Sequence, residues 1–198
     1  MKTFSRARRA WSALLLLAAS ACVCLGQASD AKPPQGDAGG GKVTTVFLVR
    51  HAERGQEPAQ DPTLTEAGVA RAEALARLLS GAGVKAVYTS QFARTKLTAE
   101  PLAKLLGVPV NPVALAVKPD SPREVSEQSI RELKAKVEAH AGEAVLVVGH
   151  TNSVPDLIRA LGGDVVPTMD ESKFDDLFVV TVYAPGRAKV LRLKYGAP

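Results

Sequence analysis

The sequence predicts an α/β fold: a three-layer α/β/α sandwich with a mostly parallel central sheet and an antiparallel C-terminal edge. Three observations carry that prediction. From residue 43 onward, short β-favouring runs alternate with longer runs of helical period. The run at 144–148 is apolar at every position, as a strand covered on both faces must be. The last two runs, 177–183 and 188–193, bracket Ala184-Pro185-Gly186-Arg187 and read as a closing hairpin.

The elements follow in order. Residues 43–49 read as a strand. Residues 65–79 read as a helix with Val69, Ala72, Ala76 and Leu79 on one face and Arg71, Glu73 and Arg77 largely on the other. Thr63 and Glu66 have the spacing of a capping box, and Gly81 and Gly83 stop the helix. Residues 84–89 form a second strand. Residues 95–106 form a helix, irregular near Pro101 and ended by Gly107. A weak strand spans 108–115, a helix spans 123–141, the most apolar strand spans 144–148, and a short helix spans 154–161.

The 198 residues suit one ordinary domain, here 43–198. The formal charge of +5 comes mostly from the N-terminus. Lys2, Arg6, Arg8 and Arg9 precede an apolar run from Ala13 to Ala19 that is too short to span a bilayer. Residues 1–28 therefore read as a secretory signal peptide, cleaved after Ala21 or Ala28. Without them, 21 basic residues face 20 acidic ones, a net +1, which gives no reason to expect a nucleic-acid partner. An uncleaved signal anchor, or a lipid anchor on Cys22, is the minority alternative. Both cysteines, Cys22 and Cys24, lie in this segment, so a chain cut after Ala28 has neither a disulfide nor a thiolate site. Residues 29–42, rich in Pro, Gly and Asp, read as a disordered linker. The expected location is outside the cytoplasm, periplasmic or extracellular, with no membrane span after signal cleavage. The oligomeric state is open.

Ligands of open parallel sheets bind beyond the carboxyl ends of the strands. On that rule Arg50 and His51 end the first strand, Arg94 follows the second with Thr89 and Ser90, and His150 follows the apolar strand. If these strands are neighbours, four basic side chains converge on one rim. The amides of Thr151 and Asn152 would open the next helix at the same place. Two arginines provide planar forks for phosphate oxygens, and a neutral imidazole held in line can accept a phosphoryl group. Two histidines without a carboxylate or cysteine cluster make zinc the weaker alternative. His140, near the end of a polar helix, reads as a surface residue. The loops 53–63, 116–122 and 163–176 should line the pocket.

FLVRHAE (47–53), LTEAGVARAEALA (64–76), VYTSQFARTKLTAEPLA (87–103) and VLVVGHTNSV (145–154), in that order, resemble the histidine phosphatase, or phosphoglycerate mutase-like, superfamily. The likeness runs over roughly 43–195, and the small size is similar to the compact bacterial phosphohistidine-phosphatase-like branch. The resemblance implies that His51 is the nucleophile that becomes phosphohistidine. It implies that Arg50 and Arg94 clamp the phosphate, that His150 contacts the same oxygens, and that Thr151 and Arg54 add phosphate contacts. It implies a phosphatase without metal or other cofactor, acting on a small phosphorylated substrate or a phosphoprotein.

The chain departs from the family pattern twice. Ala52 stands where the family's Arg-His-Gly box has glycine, a change expected to be tolerated. No clear counterpart of the family's general acid follows the second-arginine helix, and Glu53, Asp120, Glu124 and Asp175 remain as candidates. A missing acid matters least for phosphoramidates or anhydrides, whose leaving groups are already good. A mutase is less consistent with a chain lacking extra loops. A non-catalytic phosphate- or phosphoprotein-binding module is the alternative function.

Overall fold

The computed structural model describes residues 42–196. The expected signal peptide at 1–28, and the expected linker up to residue 41, lie outside the described residues. Six strands form the central sheet: β1 (Thr44–Arg50), β2 (Val84–Thr89), β3 (Val110–Pro112), β6 (Ala144–Gly149), β7 (Asp176–Ala184) and β8 (Arg187–Lys194). Their order is β3-β2-β6-β1-β7-β8. β3, β2, β6 and β1 are parallel, while β7 and β8 are antiparallel to their neighbours at the C-terminal edge.

Period-two alternation within the central strands builds both faces. Val46 and Leu48 of β1, with Val145 and Val147 of β6, face α3 (Glu127–Glu138) and α4 (Ser153–Ala160). Val49, Leu146 and Val148 face α1 (Glu66–Leu79) and α2 (Ala93–Leu106). Helices on both faces of one sheet make the three-layer sandwich. Each fully buried core residue such as Leu146 contributes roughly 1.5–3 kcal/mol through removal from water.

Several local readings are corrected. The cap of α1 is Thr65, not Thr63: its hydroxyl accepts from the Gly68 amide at 3.1 Å. The buried face of α1 runs through Gly68, Ala72, Leu75, Ala76 and Leu79, so Val69 is 47% exposed. Gly68 sets that rotation, because a Cβ there would come within 2.2 Å of the Glu53 carbonyl oxygen. Arg71 consequently turns inward. α2 starts two residues earlier than expected and runs through Pro101, ending where Gly107 takes a φ of 66°.

The third strand is only Val110–Pro112. The start of the expected helix at 123–141 is instead a strand: β4 (Val117–Lys118) and β5 (Ser121–Val125) form a small antiparallel pair. α3 begins only after Ser126, whose hydroxyl accepts from the Ser129 amide. His140 is also not a free surface residue. Its Nε2 meets the Tyr88 hydroxyl at 2.9 Å and its Nδ1 meets Glu143 at 2.7 Å.

Candidate active site

The sheet order places the carboxyl ends of β2, β6 and β1 side by side. Arg50 and Gly149 are register partners, so the residues following them, His51 and His150, leave the sheet together. The His51 amide still donates to the Gly149 carbonyl at 2.9 Å, which fixes the chain at the point where it departs. The two imidazoles lie 5.3 Å apart, centroid to centroid, in an edge-to-face arrangement. The next residue, Ala52, is fully buried and its amide donates to Thr98 Oγ1 of α2 at 2.9 Å.

His51 is 4% exposed. Its Nδ1 lies 2.8 Å from the Ala52 carbonyl oxygen. A carbonyl only accepts, so Nδ1 carries the proton and Nε2 keeps its lone pair. Burial pushes the imidazole pKa down to about 4, against the Ala52 hydrogen bond, with further lowering by Arg50, Arg94 and Arg54. His150 is lowered to about 3 by burial first, then by His51, Arg94 and Arg50. Both rings are therefore neutral at pH 7. The Ser90 hydroxyl, 2.9 Å from His150 Nε2, also meets Thr95 Oγ1 at 2.9 Å; since either oxygen can donate, both His150 tautomers fit.

The hydrogen bonds of Arg50 go to uncharged groups, while the Glu171 carboxylate acts on it through space. Its Nη1 donates to the carbonyls of Glu171 and Lys173, and its guanidinium carbon lies 4.1 Å from the Phe174 ring centroid. Arg94 stacks 4.2 Å from the Phe92 ring and faces Asp61 at 3.7 Å. Burial lowers the pKa of both arginines. The Nε atoms of Arg50 and Arg94 are buried without a hydrogen-bond partner among the described residues. Orphaned donors on two neighbouring cations are the mark of an anion site.

Arg50, His51, Arg54, Arg94, His150 and Thr151 all line one cavity of about 430 Å³. Each expected loop also contributes to its wall, through Gln60, Val117 and Glu171. A larger groove of about 520 Å³ beside α3 and α4 contains no histidine, and its charges are largely paired with one another, as Lys118 with Glu124 and Arg159 with Asp156. Among the described residues there is no cluster of three His, Cys, Asp or Glu side chains suited to a metal ion.

The four candidate acids lie elsewhere. Glu53 receives the Arg71 Nε on both carboxylate oxygens, at 2.9 and 3.0 Å. Burial would raise its pKa, but Arg71 outweighs that and lowers it. Asp120 is exposed in the turn between β4 and β5. Glu124 pairs with Lys118 at 2.6 Å, and Asp175 pairs with Lys194 at 2.8 Å. None of the four lines the cavity, whereas Glu171 does. The sequence reading also passed over Asp61, Thr98, Phe92 and Phe174. Only Phe92 had a local signal, an aromatic directly before a helix start where a capping oxygen is usual.

Residues 46–115 match the family model described as Histidine phosphatase superfamily (branch 1). Over this part the chain is similar to that superfamily. The solved structure of the protein histidine phosphatase SixA complexed with tungstate is 20% identical over 76% of this chain and 96% of its own, with a TM-score of 0.60. Phosphoglycerate mutase from Bacillus anthracis is 18% identical over 77% and 93%, with a TM-score of 0.61. YhfR of Bacillus stearothermophilus is 21% identical over 69% and 90%, with a TM-score of 0.53. At these identities the structures share the fold. No curated protein sequence matches the chain. The Arg-His pair, the second arginine and the second histidine that the resemblance singles out share one cavity, and Ala52 is buried with its amide on Thr98.

Proposed function

We propose that this protein is an exported, metal-independent phosphatase working through a phosphohistidine on His51. The observation that carries the reading is the tautomer of His51: Nδ1 is committed to the Ala52 carbonyl, leaving a bare Nε2 beside two arginines with orphaned donors. The Nε2 lone pair forms the N–P bond as the bond from phosphorus to the leaving group breaks, and the leaving group takes its electron pair and then a proton from solvent water. Water then attacks the phosphohistidine, releasing inorganic phosphate and restoring the neutral imidazole. Arg50 and Arg94 stabilise the equatorial oxygens, with His150, Thr151 and Arg54 as further contacts. The charge of a bound phosphate would also draw the His150 pKa upward, so that it donates where charge accumulates.

Glu53, Asp120, Glu124 and Asp175 do not line the cavity and Glu171 is its one carboxylate among the described residues, so the reading favours substrates that need little help in departure. Phosphoramidates and anhydrides are such substrates, whether as small molecules or on a phosphoprotein. The basic and apolar pattern of residues 1–28 supports export. The test is phosphate release from an activated aryl phosphate with EDTA present, wild type against His51→Ala. Turnover lost in the variant is expected. Phosphate binding without turnover, unchanged by His51→Ala, would favour a binding module instead.

A further inference from the structure

A buried guanidinium needs stabilisation, and a carboxylate is its usual source. Arg71 takes that solution with Glu53 at 2.8 Å. A carboxylate, however, occupies the N–H donors and cancels the charge that a phosphate would use. An aromatic face stabilises a cation through its quadrupole without accepting the in-plane N–H groups. Arg50 and Arg94 each lie over such a face, at 4.1 and 4.2 Å. Arg50 Nη1 also donates to two carbonyls and Arg94 Nη1 faces Asp61 at 3.7 Å, but the Nε of each stays without a partner among the described residues.

The same two rings abut the two histidines. Phe174 meets His51 at 5.9 Å with planes at 54°, and Phe92 meets His150 at 5.6 Å with planes at 84°. The rim therefore consists of two Arg–Phe–His units that meet where the histidine rings come within 5.3 Å. Neither ring comes from a strand that supplies the histidines: Phe92 precedes α2 and Phe174 precedes β7. Phe92 also breaks a local rule. It is the N-cap of α2 and has no side-chain oxygen to cap with, and the cap is provided from another loop by Asp61, whose oxygens accept from the Ala93 amide at 2.9 and 3.0 Å. A position that forgoes its own helix cap while contacting both an arginine and a histidine of the rim is one where local stability has yielded to the site.

We propose that Phe174 and Phe92 are positioning residues of the phosphate clamp, each orienting one arginine and one histidine while leaving the arginine's Nε donor free. The proposal rests on the phosphatase reading above. Its test is the affinity for orthovanadate and inorganic phosphate, with kcat and KM on an aryl phosphate, for Phe174→Leu, Phe92→Leu, Phe174→Tyr and Phe92→Tyr. The leucine variants remove the ring face, and orthovanadate affinity and kcat/KM should each fall about tenfold. The tyrosine variants keep it and should stay within about threefold of wild type. Should a leucine variant fail to fold, trifluorophenylalanine at the same position weakens the quadrupole at nearly constant shape, and the same direction of loss is expected.

Wild-type affinity in the leucine or fluorinated variants would overturn the proposal, as would tyrosine variants as impaired as the leucine ones. A wild-type protein that binds neither anion would instead overturn the phosphatase reading, and this proposal with it. Binding by wild type with no change in the variants overturns the positioning role alone.

Discussion

Arg71 and Arg50 are two largely covered guanidiniums with opposite surroundings, their exposures being 11% for the Arg71 side chain and 9% for Arg50. Arg71 holds Glu53 through Nε and also donates to the Tyr195 carbonyl at 2.9 Å, and its pKa is raised, chiefly by the Glu53 hydrogen bond. Arg50 meets carbonyls and a phenyl ring, retains an unpartnered Nε, and its pKa is lowered by burial. The histidines repeat the contrast. His140 has both ring nitrogens engaged, by Tyr88 and Glu143, whereas His51 has one engaged, by a backbone carbonyl. Arg71 and His140, which tie the fold together, are each paired with a carboxylate. Groups at the carboxyl rim are oriented but left with unused valence. That distinction, rather than burial or residue type, separates the site from its scaffold.

Several substitutions would break or sharpen this contrast. The largest effect belongs to His51→Ala, which removes the proposed nucleophile and should reduce kcat on the order of 10⁴-fold or more, measured by phosphate release. Arg94→Lys keeps a charge but loses the planar fork and should cost roughly 10²–10³-fold in kcat/KM. A loss under tenfold would mean that charge alone suffices. On the paired side, Arg71→Met leaves the Glu53 carboxylate unpaired. It should cost about 1–3 kcal/mol in denaturant unfolding while kcat/KM stays within about threefold.

The pH dependence tests the same difference without mutation. Depressed pKa values near 4 for His51 and 3 for His150 mean both rings stay neutral well below the ordinary 6.5. The pH profile of kcat/KM for the free enzyme should therefore show no histidine inflection near 6.5, and His51 should begin to protonate only as pH approaches 4. Stability follows the same sign. The unfolded chain takes up protons on these histidines below about 6.5 while the folded one does not, so their contribution is fully present above 6.5 and is lost as pH falls from there toward about 4 for His51 and about 3 for His150. The smallest effect is at Val69, which is exposed on α1. Val69→Lys should change unfolding free energy by less than about 0.5 kcal/mol.

That last case shows where the sequence is opaque. Val69 looks inward on a helical wheel, but the wheel cannot show that Gly68 lies against the Glu53 carbonyl and turns the helix. β1, β2 and β6 were legible because a strand buried on both faces announces itself in composition. β4 and β5 were not: five residues with a proline and two charges, SPREV, carry no periodicity. At the site, Arg50, His51, Arg94 and His150 were legible because they follow strong strands or open a helix. Asp61, Thr98 and Phe174 were not, since their roles depend on loops and helices brought to the rim only by folding. The candidate acids illustrate the converse. Glu53 is adjacent to His51 in sequence, yet its carboxylate belongs to Arg71.

The most direct test of the central claim is a rapid-quench search for phosphohistidine during turnover of an aryl phosphate, with the modified residue located by mass spectrometry. The account predicts an acid-labile, base-stable phosphoryl group on His51 that forms before phosphate is released and is absent from His51→Ala. Steady turnover with no phosphoryl group on His51, or with one on another residue, would contradict it.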